Sequence, residues 1–160
     1  MRIYILRHGI AEDAPPGGAD ADRALTQEGK QKLRSVLDRA RRAGACPSII
    51  LTSPLKRAVE TAEMAASILD VADDLVRTNA LVPSGSPERV WKEIRARKAD
   101  EVLIAGHEPL LSTLVAFLLG CDALMVRMKK GALVCVDVEE EGTQPHGMLN
   151  WMLIPKLAGQ

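Results

Sequence analysis

Arg7-His8-Gly9 closes the first apolar run of this chain, and Gly106-His107 closes another far downstream. Between them lies Ser53-Pro54-Leu55-Lys56-Arg57-Ala58-Val59-Glu60-Thr61. The chain has only three histidines, and two of them stand next to a glycine at the end of an apolar run. A neutral imidazole can attack phosphorus through one ring nitrogen if the other is fixed by a hydrogen bond. An arginine offers a planar, permanently charged fork that fits phosphate oxygens. Arg7, His8, Arg57 and His107 together would therefore make a phosphate pocket with its own nucleophile. Without an anion to share, groups of this charge have no reason to converge. Gly9 would let the backbone turn and a ligand come close. Arginines near His8 would oppose its protonation and help keep it neutral.

The elements that must position these residues follow from the pattern. Arg2–Leu6 is β-branched-rich and predicts a buried strand. Residues 8–24, with Pro15-Pro16-Gly17-Gly18, predict a loop. Thr26 is a candidate N-cap, and Leu33, Val36, Leu37 and Ala40 follow at helical spacing toward Gly44. Ser48–Leu51 predicts a second strand. Thr52-Ser53-Pro54 then opens a helix, with Pro54 expected at its first position. That start places Arg57 in the first helical turn, where the helix end also favours anions. Leu75–Thr78 predicts a brief strand, and Ser86-Pro87-Glu88 starts a helix with Val90, Trp91 and Ile94 inward. Glu101–Ala105 is a strand, followed by a helix over Leu110–Leu119. Ala132–Val138 and Met148–Ile154 predict an antiparallel hairpin joined by a polar segment. Strands alternating with helices imply a three-layer α/β/α sandwich, with a mainly parallel central sheet and an antiparallel C-terminal edge hairpin. In such sheets ligands bind outside the carboxyl ends of the strands, where His8 and His107 fall.

Composition narrows the classes. The 160 residues predict one domain spanning 1–160. Apolar residues make up 47% and aromatics 2%, so the core must be aliphatic, and a base-stacking nucleic-acid binder is not expected. Acidic and basic residues balance at 21 each, so any anion site must be local. Cys46, Cys121 and Cys135 have no metal-ligand spacing and predict three reduced thiols, two or more of them buried, in a cytoplasmic protein. No signal peptide is expected, and the apolar stretch Pro109–Leu119 is too short to span a membrane.

The combination R-H-G, S-P-x-x-R-x-x-x-T and G-H before a helix resembles the histidine phosphatase (phosphoglycerate mutase-like) superfamily. The short length and the segment Arg23-Ala24-Leu25-Thr26 resemble its SixA-type phosphohistidine phosphatases. The resemblance implies that His8 is the nucleophile that becomes phosphorylated. It implies that Arg7, Arg57 and His107 complete the phosphate pocket, that Arg23 stands at its rim, and that no metal or other cofactor takes part. It further implies a phosphorylated protein partner of the histidine phosphotransfer type, or a small phosphorylated compound.

One departure from the family pattern bears on chemistry. Mutase-like members carry a glutamate proton donor after the mid-chain strand. Here residues 78–85 read Thr-Asn-Ala-Leu-Val-Pro-Ser-Gly, with no acid. An alkoxide leaving group needs a proton, a contribution of about 10²–10⁴-fold. The ring nitrogen of a phosphoramidate leaves as neutral imidazole after protonation from solvent, so the missing acid fits phosphohistidine better than a sugar phosphate. Glu108 is the rival acid, which would make the chain a general phosphoester phosphatase; otherwise it caps the following helix and answers its dipole. A third reading is a phosphoprotein-binding module without turnover. His146 is expected in a solvated turn. Lys129-Lys130-Gly131 either edges the pocket or forms a solvated turn, and Glu12 and Asp13 are expected at the surface.

Overall fold

The computed structural model describes residues 1–72, 75–139 and 144–159. Strands β1 (Arg2–Arg7), β2 (Ile49–Thr52), β3 (Leu75–Arg77), β4 (Glu101–Gly106), β5 (Leu133–Glu139) and β6 (His146–Leu153) form one sheet in the order β3-β2-β4-β1-β5-β6. The pairings β3·β2, β2·β4 and β4·β1 are parallel. β5 runs antiparallel to β1, and β6 antiparallel to β5, which places the expected hairpin at one edge. Residues 140–143 of its polar connection lie outside the described residues.

The strands alternate their side chains, so each face has its own aliphatic core. Tyr4 and Leu6 of β1, Ile50 of β2 and Leu103 of β4 face α1 (Gln27–Arg42), α2 (Lys56–Leu69) and the short α5 (Pro155–Ala158). Ile3, Ile5, Leu51 and Ile104 face α3 (Pro87–Ala96) and α4 (Leu110–Leu118). α1 shows why these segments are helices. Thr26 Oγ1 accepts the Gly29 amide, a side-chain N-cap. Leu33, Val36 and Leu37 are completely buried along one face, each contributing roughly 1.5–3 kcal/mol. Three arginines in the last turn face the negative end of the helix dipole.

Several expectations need correction. Helix α2 begins at Lys56, not at Pro54. Ser53 Oγ accepts the Leu55 amide, and Leu55 keeps extended dihedrals, so Pro54 sits in a turn before the helix. Arg57 remains in the first turn. Only Cys135 is buried; Cys46 and Cys121 are exposed, each in a connection just past a helix end. His146 is the first residue of β6, opposite Glu139, rather than part of a turn, although it is exposed. The loop of residues 8–24 carries more order than expected: Ala11 pairs with Leu25, and Asp20–Asp22 form a 3-10 turn. No helix among the described residues is long and apolar enough to cross a membrane.

Candidate active site

Strand register builds the site. β1 and β4 lie side by side and parallel, with Arg7 opposite Gly106. The residues just beyond them, His8 and His107, therefore emerge together at the carboxyl end of the sheet. Their ring centroids are 5.0 Å apart. The His8 amide donates to the Gly106 carbonyl, which extends the ladder to the site itself. β2 lies on the other side of β4, with Thr52 opposite Ala105. That register carries Ser53 to His107, and Ser53 Oγ stands 2.9 Å from His107 Nε2.

Arg57 enters from α2. Its position is tied to His8 by Thr61, one helical turn further on. Thr61 Oγ1 donates to the Arg57 carbonyl at 2.7 Å and accepts the Gly9 amide at 3.2 Å. The threonine of the S-P-x-x-R-x-x-x-T pattern thus fastens the helix to the loop that follows β1. Gly9 is required here, because a Cβ would stand 2.6 Å from Leu33 Cδ1.

His8, Arg57 and His107 are 7%, 5% and 2% exposed, so charge at the site is poorly screened. His8 Nδ1 lies 2.7 Å from the Gly9 carbonyl. A carbonyl only accepts, so Nδ1 holds the proton and Nε2 keeps its lone pair. Nε2 has no hydrogen-bond partner among the described residues. Burial pushes the His8 pKa down to about 4; the Gly9 hydrogen bond opposes this, and Arg57, Arg7 and Lys130 lower it further. Burial thus exceeds the arginines as the reason His8 stays neutral. His107 falls to about 3 through burial first, then the neighbouring His8 and Arg57. Ser53 Oγ accepts the Leu55 amide and keeps a proton and a second lone pair, so its bond to His107 Nε2 can run in either direction; with Ser53 as donor, the His107 proton sits on Nδ1.

Three nitrogens at the site are buried without a protein partner: Arg7 Nε, Arg57 Nε and His107 Nδ1. Buried polar atoms are seldom left unpaired. An oxyanion would satisfy both guanidinium donors, and the imidazole nitrogen when it carries the ring proton. Arg7 also donates to the Met128 carbonyl at 2.6 Å.

The structure adds a residue that the sequence reading missed. Asp20, on the 3-10 turn, grips Arg57 twice: its carbonyl takes Nη1 at 2.9 Å and its Oδ2 takes Nη2 at 3.0 Å. Its Oδ1 takes Arg23 Nη1 at 3.0 Å. Arg23, which also donates to the Glu12 carbonyl, therefore joins the cluster through Asp20 rather than by contact with the histidines. The Arg23 and Arg57 guanidiniums hold the Asp20 carboxyl below its ordinary range. No local signal marks it, because Asp22 stands on the same turn and nearer to Arg23 in sequence.

Glu108 accepts a hydrogen bond from Ser112 Oγ of the next turn, and its Oε1 is buried without a partner. It does not cap α4, whose N-cap is Pro109. Its charge opposes the burial-driven lowering of the Arg7 pKa, which places it near the pocket. Lys130 is close enough to His8 to influence it. The Lys129-Lys130 turn is held to β1 because the Gly131 amide, at a left-handed φ of 76°, donates to the Arg7 and His8 carbonyls. Among the described residues no three His, Cys, Asp or Glu side chains are grouped to hold a metal ion.

Comparison with known proteins fits this geometry. Residues 3–80 match the model of the histidine phosphatase superfamily (branch 1), a span that includes His8 and Arg57. An uncharacterised protein of Picosynechococcus sp. is 32% identical over 138 residues, covering 84% of this chain and 83% of its own. The structure of the protein histidine phosphatase SixA complexed with tungstate superposes with a TM-score of 0.85 at 26% identity, covering 98% of this chain and 99% of that one. A protein from Agrobacterium tumefaciens, proposed to be a SixA phosphohistidine phosphatase, gives 0.82 at 25% identity, over 96% and 97% of the two chains.

Proposed function

Because this chain belongs to the histidine phosphatase superfamily, and is a phosphatase of that group with SixA-like structural neighbours, we propose that it hydrolyses phosphohistidine on a phosphorylated protein. The observation that carries the reading is the pairing of His8, with Nδ1 spent on Gly9 and Nε2 unpartnered, with the buried donors of Arg7, Arg57 and His107. The whole chain acts as one domain.

Arg7, Arg57 and His107 hold the phosphoryl oxygens. His8 Nε2 attacks phosphorus in line, the P–N bond to the substrate imidazole breaks, and that imidazole takes a proton from solvent. Water then attacks phospho-His8, releasing phosphate and restoring neutral His8. Catalysis is mainly electrostatic, because negative charge spreads over the equatorial oxygens in the transition state. Residues 79–81 form a 3-10 turn that buries Ala80 and Leu81, and the segment 78–85 brings no acid to the site. A leaving group that needs no strong acid suits this arrangement.

The test is phosphate release from a phosphohistidine protein, with EDTA present, beside a panel of small phosphoesters. Wild-type protein should release phosphate from phosphohistidine far faster than from alkyl esters. His8→Ala should abolish turnover while still binding tungstate. Retention of the rate by His8→Ala would remove the covalent mechanism, and binding without release by the wild type would leave a phosphoprotein-binding module.

Glu108 supports a second reading, since its Oε1 is buried without a partner and its charge acts on Arg7. In that case Glu108→Gln would cripple alkyl phosphate hydrolysis and spare phosphoramidates. Small equal effects on both would leave Glu108 outside the chemistry.

A further inference from the structure

Beside the phosphate site lies a cleft of about 770 Å³ lined by Arg7, Ile10, Lys32, Lys129, Lys130, Ile154, Pro155 and Lys156. Three features set it apart. It shares Arg7 with the site, so the two are contiguous. Its lining holds five cations and no acid, on a chain whose total charge is zero. Lys32 is paired with Glu28, but Lys129, Lys130 and Lys156 have no ion-pair partner among the described residues. Its floor of Ile10, Ile154 and Pro155 is apolar.

The lysine side chains are exposed, but the backbone that carries them is held. Gly131 fastens the 129–131 turn to β1, and Arg7 grips the Met128 carbonyl. A Cβ at Gly131 would lie 3.2 Å from Pro155 Cγ, so this turn packs directly against α5, which carries Lys156.

We propose that this cleft is the docking groove for the polypeptide that carries the phosphorylated side chain, and that it selects acidic residues flanking an apolar one. The inference rests on the phosphoprotein reading above. Charge complementarity decides the occupant's sign, and the apolar floor decides that it is more than an anion. A phosphoryl group alone fills only the site at His8; a polypeptide brings both carboxylates and an apolar side chain on one backbone.

The test uses three peptides of one length, each with a central phosphohistidine and one apolar neighbour, flanked by Asp and Glu, by Asn and Gln, or by Lys. Free phosphohistidine serves as the reference. Wild-type protein should hydrolyse the acidic peptide with about tenfold higher kcat/KM than the neutral one, mainly through KM, and the advantage should shrink with salt. A Lys129→Ala/Lys156→Ala double variant should lose that preference while hydrolysing free phosphohistidine within about twofold of the wild-type rate. Equal turnover of all three peptides by the wild type would overturn the docking groove and leave the phosphatase reading standing. A preference that survives in the double variant would also overturn it. If the double variant instead lost activity on a polyphosphorylated small compound and not on the acidic peptide, the cleft would be a small-anion subsite and the peptide assignment would be wrong. No hydrolysis of any phosphohistidine substrate by the wild type would sink the reading and the docking groove with it.

Discussion

Acidifying the free protein to about pH 5.5 should leave His8 uncharged, with its proton still on Nδ1. An ordinary imidazole has a pKa near 6.5 and would be about 9% neutral at that pH. His8 is pushed down to about 4, first by burial and then by Arg57, Arg7 and Lys130. At that value roughly 97% stays neutral, about a tenfold larger nucleophilic fraction. The difference corresponds to a resistance to charging on the order of 3 kcal/mol. Long-range ¹H–¹⁵N correlation of the imidazoles reads both protonation and tautomer. The chain's three histidines can be assigned with single His→Gln variants. Tungstate should move the His8 titration upward, because a bound anion offsets the arginines, but burial should keep it below the ordinary value. The kcat/KM profile reports the free enzyme, so its enzyme-derived acid limb should fall below pH 5 once uncatalysed hydrolysis is subtracted. A His8 titration at or above 6.5 would refute the burial argument, and a neutral ring carrying its proton on Nε2 would remove that nitrogen as the nucleophile.

Asp20→Asn should tighten tungstate or phosphate binding several-fold in calorimetry. Two unit charges about 4 Å apart in water interact by about 1 kcal/mol, and Asp20 brings a negative charge to Arg57; weaker binding would instead make Asp20 the residue that holds Arg57 in place. Thr61→Val should leave the buried Gly9 amide unpaired and cost roughly 1–3 kcal/mol in urea unfolding, with Thr61→Ser recovering most of it. Stability should fall as pH drops below about 6.5, because the unfolded chain then binds protons that buried His8 and His107 refuse until about 4 and about 3. The slope should approach about 1.4 kcal/mol per pH unit for each histidine and lessen in His107→Gln; a pH-independent midpoint would contradict the burial argument.

Most of the scaffold was legible because local and global signals agree. The Thr26 cap, the 3.6-residue stripe of α1 and the β-branched runs of β1 and β4 each name their own element, and parallel register then brings His8 to His107. What escaped the reading depends on the third dimension. Pro54 is compatible with a helix start, but the Ser53 hydroxyl captures the Leu55 amide and delays it. Cys46 and Cys121 look like core residues by type, yet they fall in connections past helix ends. Asp20 sits in a loop of small residues, and nothing local shows that this loop folds back over α2. Thr61 was visible only as part of a motif; its role of joining Gly9 to Arg57 needs the packing of α2 against the end of β1.

The sequence posed a difficulty that the structure resolves. Two arginines and two histidines in one crevice should repel without an anion. Burial removes the histidines from the sum by keeping both neutral. Arg7 rests on the Met128 carbonyl, and Arg57 is answered by Asp20. The site is therefore stable without substrate, and Asp20 is the group a phosphoryl dianion must outcompete or share with. Asp20 is well placed for that exchange, because its side chain is 64% exposed while that of Arg57 is 6% exposed. The exposed partner can yield at little desolvation cost while the buried one stays in place. A monovalent carboxylate, also held by Arg23, then acts as a threshold. On the proposed mechanism, weak monoanions should fail to displace it, whereas a phosphoryl group that satisfies Arg7, Arg57 and His107 together should succeed.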